Sequence, residues 1–572
     1  MTTSTDHGLT FDAPGPGSWE LDGAHFPRPL FGPLESIFPP AFREGMRDCC
    51  TRYGMLLDTL EVRFVHGFPY LQPQIAGVPS GGKPPPRVVM RVALALLTRL
   101  HPKLRRRMAV AKTVFERKPW REELALWDAQ IRPATIASHA RLAAIDPATL
   151  EDAQLADHLR AVEEHAIRML RQDHSYNLAV MVPLGDYLAH AHDWTGLAQH
   201  ELIAPLSGYS PISAGEAEER AALVAALRAD AGAQALLGSS APAVELWRQL
   251  ADRPGEVGRA ARAFQLVFGN GLTHGIDLAL PTVNELPGPV LAGLRASLRG
   301  TTAADPRRAA NEAAARVRQQ VPEAARATFD ELLAEARLTY RLRDERHLYG
   351  IMPTFGITRR ALLEAGRRLR ARTALPDEEL AIVARIDELD AALRTRADLP
   401  VGTLLERRRL HGQLHAGNVP AHLGPAPTPP PPPEWLPNEG ARRLMRALDL
   451  YLGDLRRDAG ESQSEPEVVQ GLAASHGIHE GTARLCGGVQ DLDRITPGDV
   501  LVAPLTSPAI NNVLPVLGAI VTDKGGALSH AAIVSREYGI PCVVGTRSGT
   551  ARIPDGRRVR VDGTRGVVTV LA

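Results

Sequence analysis

Residues 522–545, TDKGGALSHAAIVSREYGIPCVVG, place Ser529 and His530 just after a Gly-Gly pair and at the head of an apolar, helically spaced run. A histidine on the first turn of a helix is a seat for phosphate carried on the imidazole. Amide N–H groups and the positive end of the helix dipole favour a phosphoryl group there, and the glycines let the backbone close on it. An isolated Ser-His would suit a simple helix cap better, so the surrounding pattern decides, and it nominates His530 as catalytic. Gly525 and Gly526 would give the close backbone approach. The hydroxyls of Ser529, Thr522 and Thr506 would bond the phosphate, the two threonines because each ends a β-rich run. Lys524, between Asp523 and the glycines, either favours the phosphoryl group or is solvated. Arg536 lies nearly two turns along and should face away or form a structural ion pair.

These residues need a scaffold. Short β-rich runs, VLVAP, AIVTD, PCVVG, RVRVDG and VVTVL, alternate with Gly and Pro turns around the His530 helix and read as a compact α/β unit. Upstream, residues 87–415 carry Ala, Leu and Arg at three- and four-residue spacing and read as helical, with Ser213 and Glu216 as a capping box. Residues 18–86 read as loop-rich. Between the two regions, GPAPTPPPPPEWLP (424–437) excludes helix and central strand and favours an extended polyproline rod. At about 3.1 Å per residue, thirteen such residues span roughly 40 Å, a useful length for a tether. A helix over about 438–457 and a polar break at 460–467 follow.

From Gly471 onward, the ordered segments GIHEGTARL, ITPGDVLVAPLTSP, AIVTDKGGALSHAAIVSREYGIPCVVGT and IPDGRRVRVDGTRGVVTVL resemble the swivelling phosphohistidine domain of the phosphoenolpyruvate-utilising enzymes. The resemblance implies that His530 carries phosphate between two separate active sites. WELDGAHFPRPL (19–30), HDWTGL (192–197) and DLALPTVNELP (277–287) are similar to the acceptor-substrate domain of the rifampicin phosphotransferases in that family. The layout is similar to theirs without an ATP-grasp domain. The expected fold is thus multidomain, a large mainly α-helical acceptor domain plus a C-terminal α/β swivelling phosphohistidine domain. Its boundaries are a disordered leader at 1–17, the acceptor domain at 18–423, a Pro-rich linker with connecting helix at 424–467, and the phosphohistidine domain at 468–572.

The resemblance also implies a division of labour. ATP and Mg2+ belong to a separate ATP-grasp subunit, this chain binds neither itself, and a small organic molecule is the acceptor. GVPSGGKPPPR (77–87) matches seven positions of a P-loop but fails at Pro84, where a magnesium-binding hydroxyl is needed. In the acceptor-like region His174, His190 and His192 are candidates for a general base, with Asp277, Glu285, Arg341 and Arg359 in similar segments. No spacing indicates a metal. Two other outcomes stay open: a phosphorylation-driven dehydratase or condensing enzyme, and a non-catalytic regulatory phosphocarrier.

Composition agrees with a multidomain cytoplasmic protein. The chain has 572 residues, 44% hydrophobic, and a formal charge of +1, which points to neither nucleic acid nor a membrane surface. The basic run at 103–107 lacks interleaved aromatics and that at 367–372 sits at helical spacing, so both read as solvated faces. Four cysteines without a CxxC pair suit a reducing compartment, and no secretory leader or membrane-spanning apolar run is visible.

Overall fold

The computed structural model describes the chain apart from residues 1–2, 5–7, 24, 79–85, 214–216, 274, 300–305, 428, 457–467, 507–509, 511–512 and 572. The failed P-loop at 79–85, Glu216 and the polar break at 460–467 lie outside the described residues. The chain forms two compact units. One holds residues 1–179, 276–279 and 349–446, the other 180–275, 280–348 and 447–572.

The first unit joins a four-stranded antiparallel sheet to long helices. The strand order is Leu57–Val65, Phe68–Ile75, Trp19–Leu21, His422–Leu423. The hairpin between the first two strands turns on His66 and Gly67, both at positive φ (48° and 78°), between paired Val65 and Phe68. That is the turn whose twist matches the flanking strands. The helix Pro33–Tyr53 runs through Pro39 and Pro40, which remove two amide donors. It persists because one face, including Leu34, Ile37, Phe38, Ala41 and Phe42, is buried. It meets the helix Asp152–Ser175 at Gly45, where a Cβ would sit 2.5 Å from the Arg171 carbonyl oxygen. The described residues of 18–86 are therefore built around a helix and a sheet, not the loop-rich stretch that their prolines suggest.

The leader is ordered where it is described. Thr3–Ser4 pairs with Thr10–Phe11, Phe11 is fully buried, and Gln72 Nε2 donates to the Pro16 carbonyl at 2.8 Å. Expected disorder gives way because one aromatic side chain and the Gly/Pro backbone find partners on the sheet. The polyproline run lies inside this unit as well: the Arg87 guanidinium stands 6.0 Å over the Trp435 ring and Leu436 is buried. The helix after it is Glu439–Arg456, capped by Asn438 Oδ1, which accepts from Ala441 N at 2.8 Å. The division between the units falls within this helix, after Arg446, and not at the prolines.

The second unit combines helices with an eight-stranded mixed sheet. Its order is Val468–Gln470, Val567–Val570, Arg558–Asp562, Ile478–Leu485, Val500–Ala503, Ala519–Thr522, Cys542–Val544, Leu472–Ser475. The four strands from Ile478–Leu485 to Cys542–Val544 run parallel. Their alternate residues feed two cores, Leu501, Ile520 and Cys542 on one face and Val500, Val502, Val521 and Val543 on the other. Burial on both faces explains why these strands read as unbroken apolar runs. The helix His530–Tyr538 crosses between two of the strands and buries Ala531, Ala532 and Val534 in the first core. Ala527, with Leu528 and Leu472, joins a helical core built on Leu184, Tyr187, Phe329 and Tyr340.

Ser213 does not cap a helix. Its hydroxyl bonds Asp344, and the helix that follows, Glu218–Ala229, starts after Ala217.

Candidate functional site

Parallel strands bring their C-terminal ends to one edge, and the loops leaving that edge build the site. Ala503 and Thr522 are register partners, so the loops after Val500–Ala503 and Ala519–Thr522 depart side by side. The first carries Thr506, the second Gly525, Gly526, Ser529 and His530. Thr506 Oγ1 lies 3.0 Å from His530 Nδ1. Two candidates separated by 24 residues of sequence thus meet in a hydrogen bond, made from a threonine that is 9% exposed.

The approach to His530 is shaped by backbone. Gly525 has φ +127°, and a Cβ there would come within 2.8 Å of Ser529 Oγ. Gly526 accepts the Ser529 amide at 3.0 Å and closes the turn. Ser529 is the N-cap residue (φ −67°, ψ 157°), yet its hydroxyl makes no capping bond, and Oγ is buried without a hydrogen-bond partner among the described residues. The helix amides are consequently not consumed by their own cap. At the other end Gly539, in the left-handed conformation, stops the helix by bonding Ser535 and Arg536 carbonyls.

Thr522 has a different role from the expected one. It is fully buried and donates its hydroxyl to the Lys524 carbonyl at 2.8 Å, so its single proton secures the loop instead of a phosphate. Asp523 braces the same loop, with Oδ1 accepting from Thr546 Oγ1 and Thr550 N at 3.0 Å each. Arg536 makes no ion pair among the described residues. It clamps backbone carbonyls, Ala474 at 2.9 Å and Ala527 at 2.5 Å. Its neighbour Glu537 accepts the Gly208 amide at 2.6 Å, and burial pushes its carboxyl up to about 7.

The seven acceptor candidates do not converge in one unit. His174, Asp277 and Arg359 belong to the first, His190, His192, Glu285 and Arg341 to the second. His174 packs edge-on against Phe42 at 4.4 Å between centroids. Arg359 is buried and donates to the Leu278 carbonyl at 2.7 Å, next to Asp277, whose Oδ2 pairs with His411 Nε2 at 2.8 Å. His190 Nδ1 lies 2.9 Å from the Asp186 carbonyl, and exposed His192 closes a turn on Leu197. Glu285 accepts from Thr282 N and Oγ1 at 2.8 and 2.9 Å, and Arg341 donates twice to Glu345 at 2.8 Å. Among the described residues no group of three or more His, Cys, Asp or Glu is placed to hold a metal.

Two histidine pairings escape a sequence reading. His139 Nε2 lies 2.8 Å from the Tyr349 carbonyl and His139 Nδ1 lies 2.9 Å from His165 Nε2. A carbonyl only accepts, so the proton on His139 sits on Nε2 and that on His165 also on Nε2. Burial keeps the pair neutral, lowering His139 to about 4 and His165 to about 3. The second is Asp22–His25 within WELDGAHFPRPL. His25 Nδ1 lies 2.7 Å and its backbone N 3.3 Å from Asp22 Oδ1. The Asp22 carboxylate raises the imidazole to about 9. A D-x-x-H spacing is the signal that sequence offers for it.

His530 opens the crossover helix at the C-terminal ends of the four parallel strands. Residues 495–566 match the family described as PEP-utilising enzyme, mobile domain. That stretch of the chain is similar to the mobile domain of the phosphoenolpyruvate-utilising enzymes.

Three relatives give the range of similarity. The chain is 34% identical over 314 residues to a chondramide synthase of Chondromyces crocatus, covering 51% of this chain and 8% of that protein. It is 32% identical over 247 residues to YvkC of Bacillus subtilis, an uncharacterised phosphotransferase, covering 43% and 28%. It is 29% identical over 223 residues to the rifampicin phosphotransferase of Bacillus cereus, covering 39% and 23%. The chain thus spans less than a third of each of these proteins. No helix among the described residues is long and apolar enough to cross a membrane.

Proposed function

We propose that the chain is a phosphotransferase component in which His530 accepts a phosphoryl group and hands it to a small organic acceptor. The observation that carries this reading is the Thr506–His530 bond at the start of a helix inside a PEP-utilising mobile domain. Thr506 engages Nδ1 and assigns the phosphoryl group to Nε2. In the reactive form the proton sits on Nδ1 and is donated to Thr506, which leaves the Nε2 lone pair to attack phosphorus. The amides of the His530–Tyr538 helix then face a group of two negative charges, and the Gly525–Gly526 turn keeps side chains out of its way. A phosphohistidine splits one difficult transfer into two easier ones.

The donor in this proposal is ATP with Mg2+ on a separate ATP-grasp subunit. The similarity of part of the chain to a rifampicin phosphotransferase supports phosphoryl transfer to a small organic molecule. The similarity of 51% of the chain to a chondramide synthase supports a second reading, in which the phosphate activates a group for dehydration or condensation and is then released. Product analysis separates the two, because phosphate is retained in the first and set free with loss of water in the second. The test of the carrier itself is acid-labile phosphate on the full chain, expected in the native sequence and absent from His530→Ala. Equal labelling of both proteins would overturn the proposal.

A further inference from the structure

The helix Arg87–Leu100, in the first unit, turns an apolar face to solvent. Val88, Val89, Val92, Leu96 and Leu100 are 77, 52, 55, 53 and 72% exposed, whereas Thr98 is the buried residue of this helix. Single exposed aliphatics are ordinary on a protein surface, but five on one short helix form a patch. Their spacing puts them on a common side. Val88, Val92, Leu96 and Leu100 follow one another four residues apart and make a ridge along the helix, with Val89 beside it. Met90, Leu94 and Leu97 lie on the other side with Thr98 and are half-buried, so the helix already has its packed face and the ridge is a second one.

The charge around the ridge has one sign. The helix holds Arg87, Arg91 and Arg99, and no Asp or Glu occurs anywhere from residue 62 to residue 115. Arg87 is engaged by the Trp435 ring at 6.0 Å. The side chains of Arg91 and Arg99 are exposed and make no ion pair or hydrogen bond among the described residues, and the same is true of Arg105 and Arg106 on the next helix, Pro102–Arg117. An apolar ridge flanked by uncompensated cations selects its complement, an apolar stripe flanked by carboxylates.

Two other occupants fit this face less well. A second copy meeting the first across a two-fold axis would set the same patch against itself and bring arginine to arginine. A lipid surface favours Trp or Phe on the apolar side and cations on the opposite, polar side. This helix has no aromatic residue, and the side opposite its ridge is the apolar one that is already packed. The short valine side chains at 88, 89 and 92 leave room for another helix to approach, as packing of ridges into grooves requires.

We propose that the helix Arg87–Leu100 is the docking site for an acidic amphipathic helix of another protein, whose apolar stripe packs on Val88, Val92, Leu96 and Leu100 and whose carboxylates pair with Arg91 and Arg99. The inference stands whether or not His530 carries phosphate.

The probe is a synthetic helical peptide of about 18 residues, made of Leu, Ala and Glu, with Leu at three- and four-residue spacing and Glu along one flank. Its binding to the full native chain is read by fluorescence anisotropy. The expected dissociation constant is about 10 μM at low salt, rising about tenfold at about 0.5 M salt. The same peptide with Lys in place of Glu should bind at least about tenfold more weakly. Val92→Ser combined with Leu96→Ser weakens the acidic peptide about tenfold, and since both side chains are exposed, its melting temperature should match the native one. Arg91→Glu combined with Arg99→Glu reverses the preference toward the Lys peptide, which a merely adhesive surface would not do.

The proposal is overturned if the acidic peptide does not bind, or if neither double variant changes its binding. A native dimer in sedimentation that the serine variant turns into a monomer assigns the face to a second copy and overturns it equally. So does binding of phosphatidylcholine–phosphatidylserine vesicles to the native chain but not to the serine variant, if the acidic peptide leaves that binding unchanged.

Discussion

Glu537, on the helix that His530 opens, accepts the backbone N–H of Gly208 at 2.6 Å. The bond ties the crossover helix of the mobile domain to the turn before a helical layer of the same unit. Arg343, Asp344 and Arg536 are the charged groups around it, and burial dominates them, raising the carboxyl to about 7. An acid raised in the folded state stabilises the fold fully only below its unfolded value. Stability should therefore fall as pH rises from the ordinary glutamate range to about 7 and change little beyond. The size is about 3 kcal/mol. Thermal melts of the native chain from pH 5 to 8 should show this decline, and Glu537→Gln should remove it.

The His139–His165 pair predicts the opposite slope. Both imidazoles are held neutral by burial, so their contribution is present above the ordinary histidine value and is lost as pH falls toward about 4. Urea titrations at pH 7 and pH 5 should show a loss of stability at the lower pH. His165→Leu leaves His139 Nδ1 without its donor, so it should cost about 1–3 kcal/mol at pH 7 and shrink the difference between the two pH values.

Thr506→Val keeps the shape of the threonine and removes the bond to His530 Nδ1. Phosphorylation of His530 by phosphoramidate should slow by about 10- to 100-fold, because the imidazole loses the partner that fixes its tautomer. Thr506→Ser should retain most of the rate. The measurement is the time course of acid-labile phosphate.

Gly525→Ala faces two obstacles, a backbone φ of +127° and a Cβ 2.8 Å from Ser529 Oγ. It should destabilise the chain by about 1–3 kcal/mol. Adding Ser529→Ala removes the oxygen but not the dihedral, so melts of the double variant should recover only part of the loss.

Much of the mobile domain is legible in the sequence because its signals are local. Gly-Gly before Ser-His, alternating apolar strands and turn residues sit within one continuous stretch, and the strand ends carry Thr506 and Thr522 to the correct edge. Sequence does not say how each hydroxyl is used. Thr522 turns its proton on Lys524, a detail set by loop backbone and not by residue type. The helix Pro33–Tyr53 is hidden by Pro39 and Pro40, since local propensity argues against it and only burial of its opposite face overrides that. The acceptor candidates are divided between the units, with Asp277 and Glu285, close in sequence, falling in different ones. Asp22 and His25 escape notice because a D-x-x-H spacing looks like any turn until the exposure of each side chain is known.

The uncapped Ser529 carries one more implication. The positive pole of the His530–Tyr538 helix comes from peptide dipoles, which no accessible pH can discharge, whereas an arginine or lysine seat would bring a counter-ion and a neighbouring carboxylate with it. The preference of this seat for an anion is then permanent, and the part of it that the helix supplies does not change with pH.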